Sequence, residues 1–254
     1  MEWDYPQLIH YAKLRWLACR STIAFMLLSR DQIVKHMQGG TIVIDPFCER
    51  QLKTTSYDVT LGEYYWRESA PGGRATIHNL YDEGSTKTVW TGPFQAEPVP
   101  ALAEKLGEKF KNISPKEKVI LLGPGETVLA HTQEFIGGKD ICVAKMYARS
   151  SMGRNFIEVC KDAGWGDVGY FNRWTMEMTN NSKHYTIPMV VGRRIAQMVF
   201  YAVAPVEKTI DYVGEGGKYQ RSQDLRELKE SWNPYMMLPK MHLDWEVAAM
   251  GPEA

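Results

Sequence analysis

Short β-branched and apolar runs broken by glycine turns constrain this chain more than any other feature. They are Lys118 to Leu122, Glu126 to Ala130, Ile141 to Met146, Ile187 to Val191 and Ala196 to Val203. Gly123-Pro124-Gly125 and Gly137-Gly138 punctuate them. Many short strands with few long helices predict an all-β sandwich or barrel. Upstream, Thr41 to Ile44 reads as a strand, and Thr60 to Trp66 as strand material broken at Gly62. Ser29 with Gln32 forms a capping-box pattern and Gly39-Gly40 a stop, which predicts a helix over Arg30 to Gln38.

The remaining segments read as additions to that β unit. Residues 1–25 carry Tyr5, Leu8, Ile9, Tyr11, Leu14, Trp16 and Leu17 at mostly helical spacing. The run Ile23 to Leu28 falls short of the ~20 residues a bilayer span needs. Charges at Asp4, Lys13, Arg15 and Arg20 spoil a signal-peptide reading. Residues 68–117 read as an insertion, turn-rich to Pro100 and then a helix over Ala101 to Phe110 despite Gly107. A second helix is expected around Asp224 to Glu230, in a C-terminal segment 224–254. The 30 Lys and Arg balance the 30 Asp and Glu, so no basic bias recommends a nucleic-acid partner and any phosphate site is local. Cys19, Cys48, Cys142 and Cys160 are scattered without a CxxC pair. They read as reduced thiols of a cytoplasmic protein.

Chemistry-bearing residues gather between Tyr147 and Asn180. Arg149, Ser150, Ser151 and Arg154 combine two hydroxyls with two permanently charged forks. That suits phosphate oxygens, or equally a serine cap with arginines on a solvated face. Three glycines surround Asp167, which is either held toward a pocket or bonded to its own turn. From Trp174 to Asn180, period two puts Trp174, Met176 and Met178 on one face and Thr175, Glu177 and Thr179 on the other. Glu177 is then an acid/base candidate or a solvent-facing strand residue.

Ordered blocks from Met26 to Gln223 resemble the dCTP deaminase and dUTPase superfamily, and within it the dCTP deaminases. Arg149-Ser150-Ser151-Met152-Gly153-Arg154 resembles that family's Arg-Ser-Ser-Leu-(Ala/Gly)-Arg. Ala163-Gly164-Trp165-Gly166-Asp167-Val168-Gly169-Tyr170 resembles its Ala-Gly-(Trp/Phe)-Ile-Asp-(Pro/Ala)-Gly-Phe, and Thr175-Met176-Glu177-Met178 its Thr-Leu-Glu-(Leu/Ile). Met26 to Ile33, Ile42 to Phe47 and Ser56 to Gly62 resemble its opening.

The resemblance implies a mainly β fold, a distorted barrel of jelly-roll type, assembling as a homotrimer with active sites between subunits. It implies dCTP as substrate, dUTP as product or further substrate, dTTP as a candidate inhibitor, and no membrane partner. The Ala-Gly-Trp form resembles the bifunctional, dUMP-forming type. Glu177, with Ser150 and Arg154, would be catalytic. Arg149, Ser150, Ser151, Met152, Gly153 and Arg154 would hold the phosphates, Asp167 the deoxyribose, and Thr175 and Met176 the rest of the nucleotide. Tyr212, Lys218 and Gln223 are the nearest matches to the tail residues that close over the triphosphate. Mg2+ would be bound through the phosphates rather than by protein side chains.

Zinc deaminases carry an H-x-E…P-C-x-x-C signature. No histidine here is followed two places on by glutamate, so a zinc-independent glutamate and water route is expected. To take a proton from water and return it to the base, Glu177 needs a pKa raised from about 4.3 toward 6–7, by desolvation under a bound nucleotide. Four departures bear on the pocket. Gly166 replaces isoleucine and is expected to loosen the loop, and Val168 replaces proline or alanine. Asn172 replaces glycine, as if a positive φ were needed. Lys161-Asp162 adds charge beside the base. A dUTPase without deaminase activity and a non-catalytic deoxynucleotide-binding regulator are the alternatives.

Overall fold

The computed structural model describes residues 26–72, 76–207 and 210–249. The helical spacing read over residues 1–25 lies outside the described residues. The strands in chain order are β1 (Met26–Leu27), β2 (Ile42–Asp45), β3 (Tyr57–Thr60), β4 (Tyr64–Glu68), β5 (Trp90–Gln95), β6 (Glu97–Pro98) and β7 (Lys118–Leu122). They continue as β8 (Thr127–Gly138), β9 (Cys142–Ala148), β10 (Ile157–Glu158), β11 (Trp165–Gly166), β12 (Phe171–Asn180), β13 (Ile187–Val190) and β14 (Arg194–Ala202). The architecture is mainly β, as expected, with a few short helices.

Three distorted antiparallel sheets result. One runs β1-β14-β9-β11 with β3 also on β14, a second β10-β12-β8-β4-β5 with β2 also on β8, and a third β13-β7-β6. The long strand β8 is the axis of the second sheet. The alternation in β14, with Met198 and Phe200 buried between half-exposed Gln197 and Val199, turns one face inward. Those side chains meet Tyr57, Val59, Ala130, Met176 and Met178 in the main core. At about 1.5–3 kcal/mol for each large apolar side chain removed from water, this contact binds the sheets.

The helix Arg30–Gln38 forms as the capping box predicts, with the Ser29 N–H donating to Gln32 Oε1 at 3.0 Å. Two expectations need correction in the insertion. Asp82 to Ser85 is a helix start rather than a turn: the Asp82 carboxylate accepts from the Gly84 and Ser85 N–H groups and caps Glu83–Val89. The next helix is Val99–Leu106, four residues short of Phe110. Gly107 adopts a left-handed φ of 68° that ends it.

The C-terminal segment lies across the outer face of the second sheet. Met237 and Leu238 pack with Trp66 and Leu129, and Leu228 with Phe135 and Phe171. The Trp66 indole N–H donates to the Pro234 carbonyl at 2.9 Å. The helix expected around Asp224 to Glu230 is Leu225–Ser231, capped by Asp224. No helix of the described residues is long and apolar enough to cross a membrane.

Candidate active site

Glu177 sits in β12 opposite Leu129 of β8. Its neighbours Trp174, Met176 and Met178 are 3%, 0% and 1% exposed, which fixes the inward face as the period-two pattern predicts. In a bare sheet the opposite face would meet water. Here the C-terminal segment covers it, and Glu177 lines a cavity of about 430 Å3 with Trp165, Thr175, Tyr212, Tyr219, Met237 and Met241 among its walls. Glu177 Oε2 is buried and without a hydrogen-bond partner among the described residues. Burial pushes the carboxyl pKa above its ordinary value, while its own backbone N–H and the Lys161 charge pull the other way. The raised value therefore precedes any nucleotide. Part of the desolvation expected under a nucleotide is already supplied by the fold.

The wall beside Glu177 depends on a size exchange. A β-carbon on Gly166 would lie 2.6 Å from the Trp174 ring carbons. The indole, fixed by donation to the Ile136 carbonyl at 2.7 Å and an edge-on contact with Tyr170, takes the space. Gly166 thus leaves no loose loop, contrary to the sequence expectation. Trp165 extends the same wall and donates to Asp167 Oδ1 at 2.7 Å, holding the carboxylate at the rim. Asp167 itself faces a second cavity of about 850 Å3 that also contains Lys218 and Asp244.

The phosphate candidates stand elsewhere in the chain. Ser150–Arg154 is a short helix following β9, with Arg149 rather than a serine at its N-cap. Arg149 donates to the Arg194 carbonyl at 3.0 Å and lies 3.9 Å from Asp58. Buried Asp58 also pairs with Arg194 at 2.7 Å. Arg149 and Met152 line a cavity of about 740 Å3 with Tyr185, Arg193 and Arg194. Ser150, Ser151, Gly153 and Arg154 are exposed beside it. One chain therefore does not bring Ser150 and Arg154 into the Glu177 cavity. Thr175 lies in that cavity. The Met176 side chain is in the core, leaving only its backbone for a nucleotide.

The tail candidates hold the tail itself. The Tyr219 N–H donates to the Tyr212 hydroxyl at 3.1 Å, Lys218 pairs with Asp244, and Gln223 donates to the Gly169 carbonyl at 3.1 Å. Asn172 has no positive φ. Its amide donates to the Tyr219 carbonyl at 3.0 Å, so it tethers the tail. Sequence reasoning missed Gln220, which is buried, accepts from the Phe171 N–H and donates to the Gly169 carbonyl. It also assigned nothing to Met237 and Met241. The apolar run Met236-Met237-Leu238-Pro239 in a polar tail was the available signal.

A family model described as dCTP deaminase-like matches residues 27–203. A relative from Nanoarchaeum equitans named "dCTP deaminase, dUMP-forming" is 26% identical over 215 residues, covering 83% of this chain and 100% of its own. One of the same name from Dictyoglomus thermophilum is 30% identical over 200 residues, covering 78% of this chain and 91% of its own. The crystal structure of 2'-deoxycytidine 5'-triphosphate deaminase from Agrobacterium tumefaciens is similar with a TM-score of 0.47 at 18% identity, over 69% of this chain and 48% of that one. The matched stretch contains the Arg149–Arg154 helix, the Trp165–Asp167 rim and Glu177 in β12, so the chain belongs to the dCTP deaminase-like family.

Proposed function

We propose that this protein deaminates dCTP and then splits the product to dUMP and pyrophosphate. The observation that carries the reading is the buried, unpartnered Glu177 oxygen in a cavity beside Thr175 and Trp165, in a chain of this family. The curated relatives' names add the dUMP-forming outcome.

Glu177 takes a proton from a water molecule, whose oxygen adds to C4 of the cytosine, and passes that proton to ring N3. It then takes the remaining proton of the C4 hydroxyl and hands it to the amine, which leaves as ammonia as the C4 carbonyl forms, and dUTP results. A carboxyl already raised by burial suits both halves of that exchange. Asp167, held at the rim by Trp165, directs a second water at the triphosphate, releasing pyrophosphate and leaving dUMP. Exposed Ser150, Ser151 and Arg154 grip the phosphates of a nucleotide lying in a neighbouring subunit's Glu177 cavity, within a homotrimer. Their separation from Glu177 within one chain supports a site shared between subunits. Mg2+ would be held by the triphosphate oxygens rather than by protein side chains, and would supply neutralisation of their charge. Among the described residues no group of three His, Cys, Asp or Glu side chains is placed to hold a metal ion. The scattered cysteines suit a cytoplasmic enzyme of nucleotide metabolism.

Incubation with dCTP and Mg2+, following ammonia, dUTP, dUMP and pyrophosphate, tests the reading. Ammonia with dUMP and pyrophosphate is expected. Pyrophosphate from dUTP with no ammonia from dCTP overturns it.

A further inference from the structure

The family match ends at residue 203, yet the cavity around Glu177 is completed by residues more than thirty positions further on. We propose that Met237, Pro239 and Met241 form a fixed apolar wall that shields the Glu177 carboxylate from bulk water before any nucleotide arrives, and so act as positioning residues. This rests on the reading of Glu177 as the proton carrier.

The wall is fastened at several independent points. Trp66 holds the Pro234 carbonyl and packs edge-on against Tyr235 at 5.3 Å. Met237 is buried against Trp66 and Leu129, the residue opposite Glu177 in the sheet. The Lys240 ammonium donates to the Lys218 carbonyl at 3.0 Å, and its backbone N–H donates to the Tyr219 hydroxyl at 3.2 Å. Lys218 pairs in turn with Asp244. A segment tied by an indole, an ammonium and an ion pair is part of the unliganded fold.

The groups facing Glu177 bear on what the wall does. Lys161 is the cation whose charge it feels, and that charge favours the ionised form. The Cys160 thiol is pushed up to about 12 by burial and stays neutral. Tyr170 and Tyr212 are likewise raised by burial, and Tyr219 contributes a hydroxyl bonded to Lys240. Met237, Pro239 and Met241 bring no charge and no donor. Their contribution is exclusion of water, which disfavours the ionised carboxylate.

The test is a 13C NMR titration of protein labelled at the glutamate side-chain carboxyls, without nucleotide. The Glu177 signal is assigned by its loss in Glu177→Gln. Met241→Ser and Pro239→Ser open the wall from two residues, so a folding failure in one leaves the other decisive. Both should move the Glu177 titration to lower pH, while Met241→Leu should titrate like the parent protein. The ascending limb of kcat/KM against pH should move the same way in the serine variants, since the substrate's own titration is common to both. Their kcat/KM at neutral pH should fall roughly 10-fold, only part of the 10²–10⁴ that general acid–base catalysis supplies. An unmoved titration in both serine variants, or a leucine variant that shifts as serine does, overturns the proposal. Should the parent protein fail to turn over dCTP, the functional reading falls while the titration still decides the wall.

Discussion

The indole of Trp174 occupies the space that a side chain at Gly166 would need, with a β-carbon there only 2.6 Å from its ring. The pair therefore behaves as one unit. Gly166→Ile alone overpacks the site and should cost about 1–3 kcal/mol in urea unfolding, with loss of turnover. Adding Trp174→Ile removes the obstruction, and the double variant should recover most of that loss. Additive costs across the double-mutant cycle would show that the two side chains do not compete for one volume.

Glu177→Gln should bind dCTP and lose deamination by at least about 10²-fold. Its stability should diverge from the parent with pH. The folded carboxyl is raised above its unfolded value by burial, so the protonated form favours the fold at low pH. That stabilisation is lost as pH rises through the folded pKa. A neutral amide avoids the loss, so the variant should match the parent in acid and exceed it in thermal stability above neutrality. Retained turnover would remove Glu177 from the mechanism.

Asp167 should separate the two reactions. Asp167→Asn keeps the Trp165 N–H partner and the fold of the rim but removes the base for triphosphate cleavage. Ammonia release should persist and the product should change from dUMP to dUTP, read by chromatography of the nucleotides. Loss of ammonia in step with pyrophosphate would place Asp167 in the first reaction instead.

His131 makes the fold sensitive to acid. Its ring is buried between Tyr64 and Trp232, accepts from the Tyr64 N–H at 3.2 Å through Nε2 and bonds the Thr132 carbonyl through Nδ1 at 2.8 Å. That arrangement needs the neutral ring. Burial lowers its pKa from 6.5 to about 4. The stability this supplies is present above about pH 6.5 and is lost as pH falls toward 4, amounting to about 3 kcal/mol. Denaturant melts across that window should show the slope, and His131→Gln should flatten it.

The parts legible in the sequence were those with strict local signals. Ser29 and Gln32 marked a helix start, alternation marked the inward face of β12, and the Arg-Ser-Ser and Trp-Thr-Met-Glu blocks marked the family. What stayed hidden depended on distance. The cover over Glu177 comes from Met237 and Met241, some sixty residues on and without periodic pattern of their own. Trp174 reads as one inward residue, and only its reach across to β11 explains Gly166. Asn172 carries no local signal of its tether because its partner, the Tyr219 carbonyl, is far along the chain.

The placement of Arg149 and Met152 in one cavity and Glu177 in another sets a final expectation about assembly. If neighbouring subunits supply the two halves of each site, Glu177→Gln and Arg154→Ala should complement each other. Each homogeneous variant should be inactive. Mixed by co-expression, they should form oligomers in which some sites pair an intact Arg154 from one subunit with an intact Glu177 from the next, so dCTP turnover should return in part. Size-exclusion chromatography of the mixture shows whether hybrids formed. Verified hybrids without activity would mean that both residues of a working site come from one chain, and would break the shared-site reading at its geometric root.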